Sequence, residues 1–303
     1  MIKALRTEEE NQAIESNLFP TARAVVRERI NFPWHRDESG VSAASRAVSS
    51  QAMALDVFET VRRLDARDDI VGAWARELQP ALPSDGAWTI DTEYLVQKDL
   101  LGEPRSTQVD ALIRSAHALI VCECKFTETS GGACSQPKPI ANGANKGKRQ
   151  CNGRYEMQQN PVNRRWSRCA LTGKGIRYWN VIPNVLEISD EMDHASCPVA
   201  GEWYQWMRNL VVARELGRQE SKTPAFLLVY AAGRFPMAEK VRLAEWKKWE
   251  ATVKQSEVPM MTVSYQRLLK IGISVAGHGE RKILNQLSEW IDRKISIGEP
   301  KHA

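Results

Sequence analysis

Long hydrophobic runs are missing from this chain. Its longest apolar stretches, "ALIVC" at 118–122 and "AFLLVYAA" at 225–232, fall well short of the roughly 18 residues that a membrane span needs. A hydrophobic leader is missing too: the opening "MIKALRTEEENQ" is charged, so a cytoplasmic protein without a membrane partner is expected. In that compartment the six cysteines read as free thiols or metal ligands rather than disulfides. There is no Gly-x-Ser-x-Gly elbow and no His-Glu-x-x-His pair, the marks of serine hydrolases and zinc proteases. "GANKGK" at 143–148 is one residue short of a phosphate-cradling Walker loop and lacks its Ser or Thr. Internal repeats and low-complexity tracts are absent, and the five histidines are scattered. What remains is the composition of an ordinary folded protein, 43% apolar and 26% charged, with 303 residues for one large domain or one core with helical additions.

Acidic residues nearly vanish from one region. Between Lys138 and Ile182, ten Lys and Arg face a single acid, Glu156. Lys146, Lys148, Arg149, Arg154, Arg164, Arg165, Arg168, Lys174 and Arg177 carry most of that charge, with Tyr155, Trp166, Tyr178 and Trp179 interleaved. Two readings stand. Cations and rings together suit a nucleic acid, whose phosphates release counterions to Lys and Arg and whose bases stack on aromatic side chains. A solvated loop is the plainer account, since charge runs commonly are that.

Periodicity places the elements. "SSQAMALDVFETVRRL" (49–64) has Met53, Val57, Phe58, Val61 and Leu64 at helical spacing, behind Ser49 or Ser50 as a cap. Three strand-like segments follow "ALPSDG": 88–97, 107–113 and 118–126. A Gly/Lys-rich basic loop over 129–182 leads to a helix over 201–217, with Gly217 as its stop, and to a buried strand at 225–232. Two amphipathic helices are expected near 238–254 and 279–296. This order predicts a mixed sheet flanked by helices.

Within "ALIVCECKF" (118–126), alternation puts Glu123 and Lys125 on one face with Val121, and Cys122, Cys124 and Phe126 on the other. A Glu-x-Lys pair on one face is compatible with a simple buried salt bridge. The segment before it argues for more. "QVDALIRSAHALIVCECKF" reads as a hairpin turning near Ala116, with His117 at its tip, which brings Asp110 within about one residue of Glu123 across the ladder. Two carboxylates that close stay ionised together only with a cation between them, and oxygen ligands suit Mg²⁺.

An Asp on one strand, a hairpin, then Glu-x-Lys on the next strand resembles the PD-(D/E)xK nuclease superfamily, the restriction-endonuclease-like fold. Asp110, Glu123 and Lys125 fill that pattern, with Val109 in place of the motif's Pro. "SSQAMALDVF", "GRYEM", "GIRYW" and "YQWMRNLVVA" also look like segments of bacterial restriction endonucleases, a similarity spanning roughly 49–232. The resemblance implies an α/β/α core with a mixed central sheet at 85–235, a helical segment at 1–84 packed on it, and a helical segment at 236–303. It implies a DNA endonuclease dependent on Mg²⁺ or Mn²⁺, acting in restriction or defence against foreign DNA. Asp110 and Glu123 would hold the metal, and Lys125 would orient or deprotonate a water and stabilise transition-state charge.

Several residues keep two readings. Glu93 in "DTEYLVQ" is a further metal contact or a strand-end surface acid. Gln51, and Gln205, Arg208 and Asn209, either face the site or serve as caps and surface groups. Cys134, Cys151, Cys169 and Cys197 number four, as a zinc site or an iron–sulfur cluster requires; the lack of any Cys-x-x-Cys favours free thiols. A homodimer is a family expectation, because two DNA strands must be cut. RNA suits the basic loop as well as DNA does. The competing reading is a module that holds nucleic acid on a nuclease-like scaffold without cutting it; a third is a scaffold protein acting through its C-terminal helices.

Overall fold

The computed structural model describes residues 6–29, 31–128 and 131–299. Thr129 and Ser130, at the start of the expected basic loop, lie outside the described residues.

Helices come first: α1 (Glu8–Ser16), α2 (Ala24–Glu28), α3 (Ser50–Arg62) and α4 (Arg67–Leu78). α3 starts where its cap predicts, with the Ser49 hydroxyl accepting the Ala52 N–H at 3.1 Å. Strands β1 (Thr89–Leu95), β2 (Gln108–Arg114) and β3 (Ala118–Lys125) follow. They form an antiparallel meander in which Ala111 pairs with Cys122 and Arg114 with Leu119. The β2–β3 turn is fastened by Ser115, whose hydroxyl accepts the N–H groups of His117 at 3.2 Å and Ala118 at 3.0 Å. The described residues of the basic loop hold the short strands β4 (Gln158–Gln159) and β5 (Trp166–Ser167) and short 3₁₀ turns, and the one-turn helix α5 (Ile182–Val185) follows at its end. Then come α6 (Tyr204–Glu220), β6 (Thr223–Tyr230), α7 (Pro236–Lys240), α8 (Ala244–Glu250), β7 (Met260–Ser264), α9 (Tyr265–Val275) and α10 (His278–Gly298).

The main sheet runs β1-β2-β3-β6-β7, with β3, β6 and β7 parallel. On one face Ile120, Cys122 and Cys124 of β3 join a core with Phe58 of α3, Trp74 of α4, Leu268 of α9 and Leu287 of α10. On the other, Leu119 and Val121 pack with Trp206, Leu210 and Ala213 of α6. The period-two expectation for β3 therefore holds. Layers of helix, mixed sheet and helix give the restriction-endonuclease-like α/β fold. Among the described residues no helix is long and apolar enough to cross a membrane.

Three elements depart from expectation. α6 does not stop at Gly217 but runs on to Glu220 and ends on Ser221, which adopts φ +54°. Gly217 instead lets α6 approach β6: a Cβ there would lie 2.9 Å from both the Lys222 carbonyl oxygen and the Pro224 ring. The single helix expected over 238–254 is broken at Leu243, which is extended and starts α8. And β7 with α9 stands where no element was expected, so the sheet takes its edge strand from the C-terminal segment.

The aromatic residues of the basic loop are also not what their interleaving suggested. Tyr155, Tyr178 and Trp179 are buried, and Tyr155 stacks on Trp179 at 3.7 Å between ring centroids. They belong to the α6-side core with Leu119, Val121 and Trp206 and are not open to bases. Trp166, 65% exposed, is the ring of the four that faces solvent.

Candidate active site

The expected hairpin register is observed within one residue. Continuing Ala111–Cys122 places Asp110 level with Glu123. On the other side, Thr92 pairs with Ala111 and Tyr94 with Val109, which places Glu93 level with Asp110. Three carboxylates thus occupy one row across β1, β2 and β3. Here the ladders loosen. Glu93 takes φ +51°, a left-handed backbone that a non-glycine residue adopts at a cost of about 1–3 kcal/mol and that clusters at functional sites. Asp110 turns its carboxylate onto β3, where Oδ2 accepts the Cys124 N–H at 2.6 Å.

Each acid has its own polar fittings. Glu123 Oε1 receives the Lys125 ammonium at 2.8 Å and the Gln205 side-chain amide. Its Oε2 receives Asn209 Nδ2 at 2.8 Å. Gln205 and Asn209 lie one turn apart on α6, so a single helix face holds the carboxylate. Lys125 also donates to Gln205 Oε1 at 3.2 Å and sits 5.6 Å from the Trp206 ring centre. Glu93 is held by Gln51 Nε2 at 2.7 Å and by Gln108. Gln51 reaches back as well, accepting the His35 N–H at 3.0 Å. A cleft of about 330 Å³ is lined by Asp110, Glu123, Lys125, Gln51, Gln205, Arg208, His35, Ser50, Gln108 and Glu128 among others, with Glu93 and Asn209 buried behind them.

Electrostatics follow from the crowding. Burial first, then the charges of Glu123 and Glu93, raises the Asp110 carboxyl well above the usual range. Burial likewise lifts Glu93 to about 7, against the pull of its Gln51 and Gln108 hydrogen bonds. For Lys125 burial alone would lower the ammonium, but the charges of Glu123, Asp110 and Glu128 outweigh it and raise it. Burial lowers His35. The row therefore carries more carboxylate than one ammonium stabilises.

Does this donor set suit a divalent cation? Its chemistry does: the donors are oxygens, their ionisation is mutually opposed, and the Asn209 Oδ1 beside Glu123 is buried without a hydrogen-bond partner. Its present arrangement is closed by Lys125 and the α6 amides, and among the described residues no three His, Cys, Asp or Glu side chains already form a metal-ready group.

The family model of restriction endonucleases associating with ARP matches residues 4–271. The chain belongs to that family. No curated protein and no solved structure matches it. The family match spans the whole carboxylate row, the basic loop and the sheet through most of α9, leaving α10 outside.

Of the residues singled out in the sequence, Asp110, Glu123, Lys125, Glu93, Gln51 and Gln205 come together around this one cleft, and Arg208 and Asn209 join them. Sequence reasoning missed His35, Ser50, Gln108 and Glu128. Gln108 shares its alternation with Asp110 and was recoverable from strand period. Glu128 lies just past the end of β3, where its Oε2 accepts the Phe126 N–H at 2.9 Å and the Ser50 hydroxyl at 2.5 Å; no local pattern marks it.

The basic-loop cations divide. Lys146, Lys148, Arg149 and Arg164 are exposed. Within the loop, Lys148 also donates to Asn145 at 3.3 Å, Arg165 to the Gly173 carbonyl at 3.1 Å and Lys174 to Gln136 at 2.6 Å, while Arg177 reaches outside it to the Leu100 carbonyl at 3.0 Å. Arg168 pairs with Asp193 at 3.1 Å, and Arg154 with Glu156 at 3.4 Å. Lys148 and Arg149 border a second cleft with Cys151, Gln158 and Gln159.

Proposed function

We propose that this chain is a divalent-metal-dependent DNA endonuclease that hydrolyses phosphodiester bonds in restriction or defence against foreign DNA. One observation carries the reading: Asp110, Glu123 and Lys125 meet at the edge of one cleft, on the ends of adjacent strands, in a member of a restriction endonuclease family. A bound Mg²⁺ or Mn²⁺ would supply Lewis-acid stabilisation of phosphate oxygens and a more acidic water. Asp110 and Glu123 would hold it, with Glu93 behind them.

Lys125 does the rest with its charge. The carboxylates around it favour the protonated form, so it acts as a fixed cation that orients a water and stabilises negative charge developing on phosphate, rather than as the resting-state base. Gln205 and Asn209 keep the Glu123 carboxylate aimed, and Glu128 restrains the chain after β3. Lys146, Lys148, Arg149 and Arg164 supply exposed charge for the DNA backbone. Cutting both strands suits a pair of chains, so a homodimer on DNA is part of the proposal.

Incubation with supercoiled plasmid and Mg²⁺ tests it: nicked and linear products are expected, abolished by EDTA and by Asp110→Asn. Cleavage unchanged in Asp110→Asn would overturn the assignment. The ties that Lys125, Gln205 and Asn209 place on Glu123 favour one second reading, a binding module that never opens its carboxylates to metal. Salt-sensitive gel shifts without hydrolysis on any DNA or RNA would select it.

A further inference from the structure

Between β3 and α6 lie 78 residues, and the described ones contain little regular structure of their own. Cys134, Cys151, Cys169 and Cys197 all fall in this stretch, and all are free thiols of intermediate exposure. The chain's path brings them together from four separate segments. The Cys134 N–H donates to the Ala200 carbonyl at 2.8 Å, tying the first cysteine's segment to the last one's. The Cys197 N–H donates to the Gly153 carbonyl at 2.8 Å, tying the last to the second. Gln150 donates to the Gln136 carbonyl at 3.0 Å, joining the first and second. Lys174, five residues after Cys169, donates to the Gln136 side chain at 2.6 Å and brings in the third. As a result each of the four thiols lies within electrostatic reach of the other three.

Without a metal, burial raises the Cys134, Cys151 and Cys197 thiols and keeps them neutral, while the neighbouring backbone pulls the other way. The backbone just downstream of three of them favours the charged sulfur: at Gln136 for Cys134, at Gly153 for Cys151, and at Val199 and Ala200 for Cys197. Such turns offer N–H groups that a charged sulfur accepts far more strongly than a neutral one. Lys174 sits within electrostatic range of Cys134, Cys151 and Cys169, where its ammonium offsets the double negative charge of a four-thiolate zinc centre. Three of the four sulfurs also pack against the α6-side core, so the cluster stands between that core and the basic surface.

We propose that Cys134, Cys151, Cys169 and Cys197 bind one structural Zn²⁺ that fastens the basic loop to the sheet. Zinc fits better than a site for chemistry, because four thiolates close a tetrahedron and leave no position for substrate. Among the described residues the four sulfurs are not already in a metal-ready set, so binding draws them inward as their protons leave. The site is separate from the carboxylate row, whose oxygen donors prefer a harder ion.

The intact chain, purified without chelator and without a metal-affinity tag, decides the matter by metal analysis and thiol counting. One zinc per chain is expected, with four thiols unreactive to a thiol reagent until an organomercurial releases the metal. Replacement by Co²⁺ is expected to give thiolate charge-transfer bands and the visible spectrum of a tetrahedral ion. Cys151→Ser with Cys169→Ser should lose the zinc, and Cys122→Ala, whose sulfur lies on the other face of the sheet, should keep it. If the double variant fails to fold, the wild-type cobalt spectrum and protected-thiol count still give the answer. A folded, zinc-free chain whose loop thiols react at once would overturn the proposal. So would zinc retained in the double variant, a brown iron-containing chromophore, or loss of the thiols to disulfides. None of these readouts depends on DNA cleavage, so the zinc assignment and the nuclease assignment fail separately.

Discussion

Asp110 on β2 accepts the backbone N–H of Cys124 on β3 at 2.6 Å. Cys124 stands between Glu123 and Lys125, so one hydrogen bond sets the position of a carboxylate relative to both partners. It also fills a donor that the loosened ladder would otherwise leave buried. Structure and chemistry are therefore separable at this residue. Asp110→Asn retains a carbonyl oxygen for the Cys124 N–H and should cost under about 1 kcal/mol while removing cleavage. Asp110→Ala leaves the donor unpaired and should cost about 1–3 kcal/mol. Urea unfolding of the two variants beside the wild type checks this; equal losses would show that the hydrogen bond contributes nothing.

How much of this is readable from the residues alone? The hairpin is, because period two, the apolar run before Glu123 and the turn at Ser115–Ala118 all agree, and register then follows within one residue. Glu93 keeps two readings in the sequence, since its place in the row depends on β1 pairing across a long connection and on a local left-handed backbone. β7 is hidden for a different reason. It is five residues long and runs straight into α9 through Ser264, whose hydroxyl accepts the Arg267 N–H at 3.2 Å, so strand and helix read as one mixed apolar segment. Gly217 misleads because a glycine near a helix end suggests a stop, whereas here it serves the closeness of α6 to β6. The buried rings of Tyr155, Tyr178 and Trp179 make a related point: interleaving with cations does not say which way a ring faces.

Glu93 gives the site a pH signature. Its carboxyl is lifted from 4.5 to about 7, so between those values the folded state binds protons that the unfolded state has released. The resulting stabilisation is full below pH 4.5 and lost as pH rises towards 7, a change on the order of 3 kcal/mol at most. In metal-free buffer the Tm difference between Glu93→Gln and wild type should therefore shift in favour of the variant as pH goes from 5 to 8. Mg²⁺ should raise the wild-type Tm more at pH 8 than at pH 5, because it relieves ionised acids. A Tm difference independent of pH would contradict both the lifted carboxyl and its place in the row.

The basic loop offers a contrast between charge that faces a surface cleft and charge that ties the loop to its neighbours. Lys148 and Arg149 are exposed and border a surface cleft, whereas Arg177 holds the Leu100 carbonyl. Substituting Lys148 and Arg149 by Ala should weaken DNA binding across sequences and reduce the slope of log affinity against log salt by roughly 0.9 for each phosphate no longer neutralised. Arg177→Ala should instead lower thermal stability and leave the salt slope nearly unchanged. Binding titrations at several salt concentrations, paired with melting curves, distinguish the two. The same slope in all variants would move the DNA surface elsewhere.

α10 lies beyond the family match at 4–271, yet it packs into the core. Lys294 reaches through the helical layer to Asp56 of α3 at 2.6 Å, with side chains 5% and 0% exposed. The pair is fully dressed: Asp56 also accepts the Phe19 N–H at 2.6 Å and Trp290 Nε1 at 2.9 Å, and Lys294 donates to the Asn17 carbonyl at 2.6 Å. Leu284, Leu287 and Ile291 of the same helix enter the core beneath the sheet. A buried charge stripped of its partner destabilises strongly, whereas losing both charges together costs far less. Lys294→Met should cost about 3–5 kcal/mol, and adding Asp56→Asn should return part of that, because the remaining acceptor still serves the Phe19 N–H. Truncation before His278 should do worse than either, by exposing the apolar stripe of α3 and α9. Denaturation of the two variants as a mutant cycle, with light scattering on the truncated chain, measures each effect. Should the truncated chain stay monomeric with an unchanged Tm, α10 would be an appendage and Lys294 no anchor.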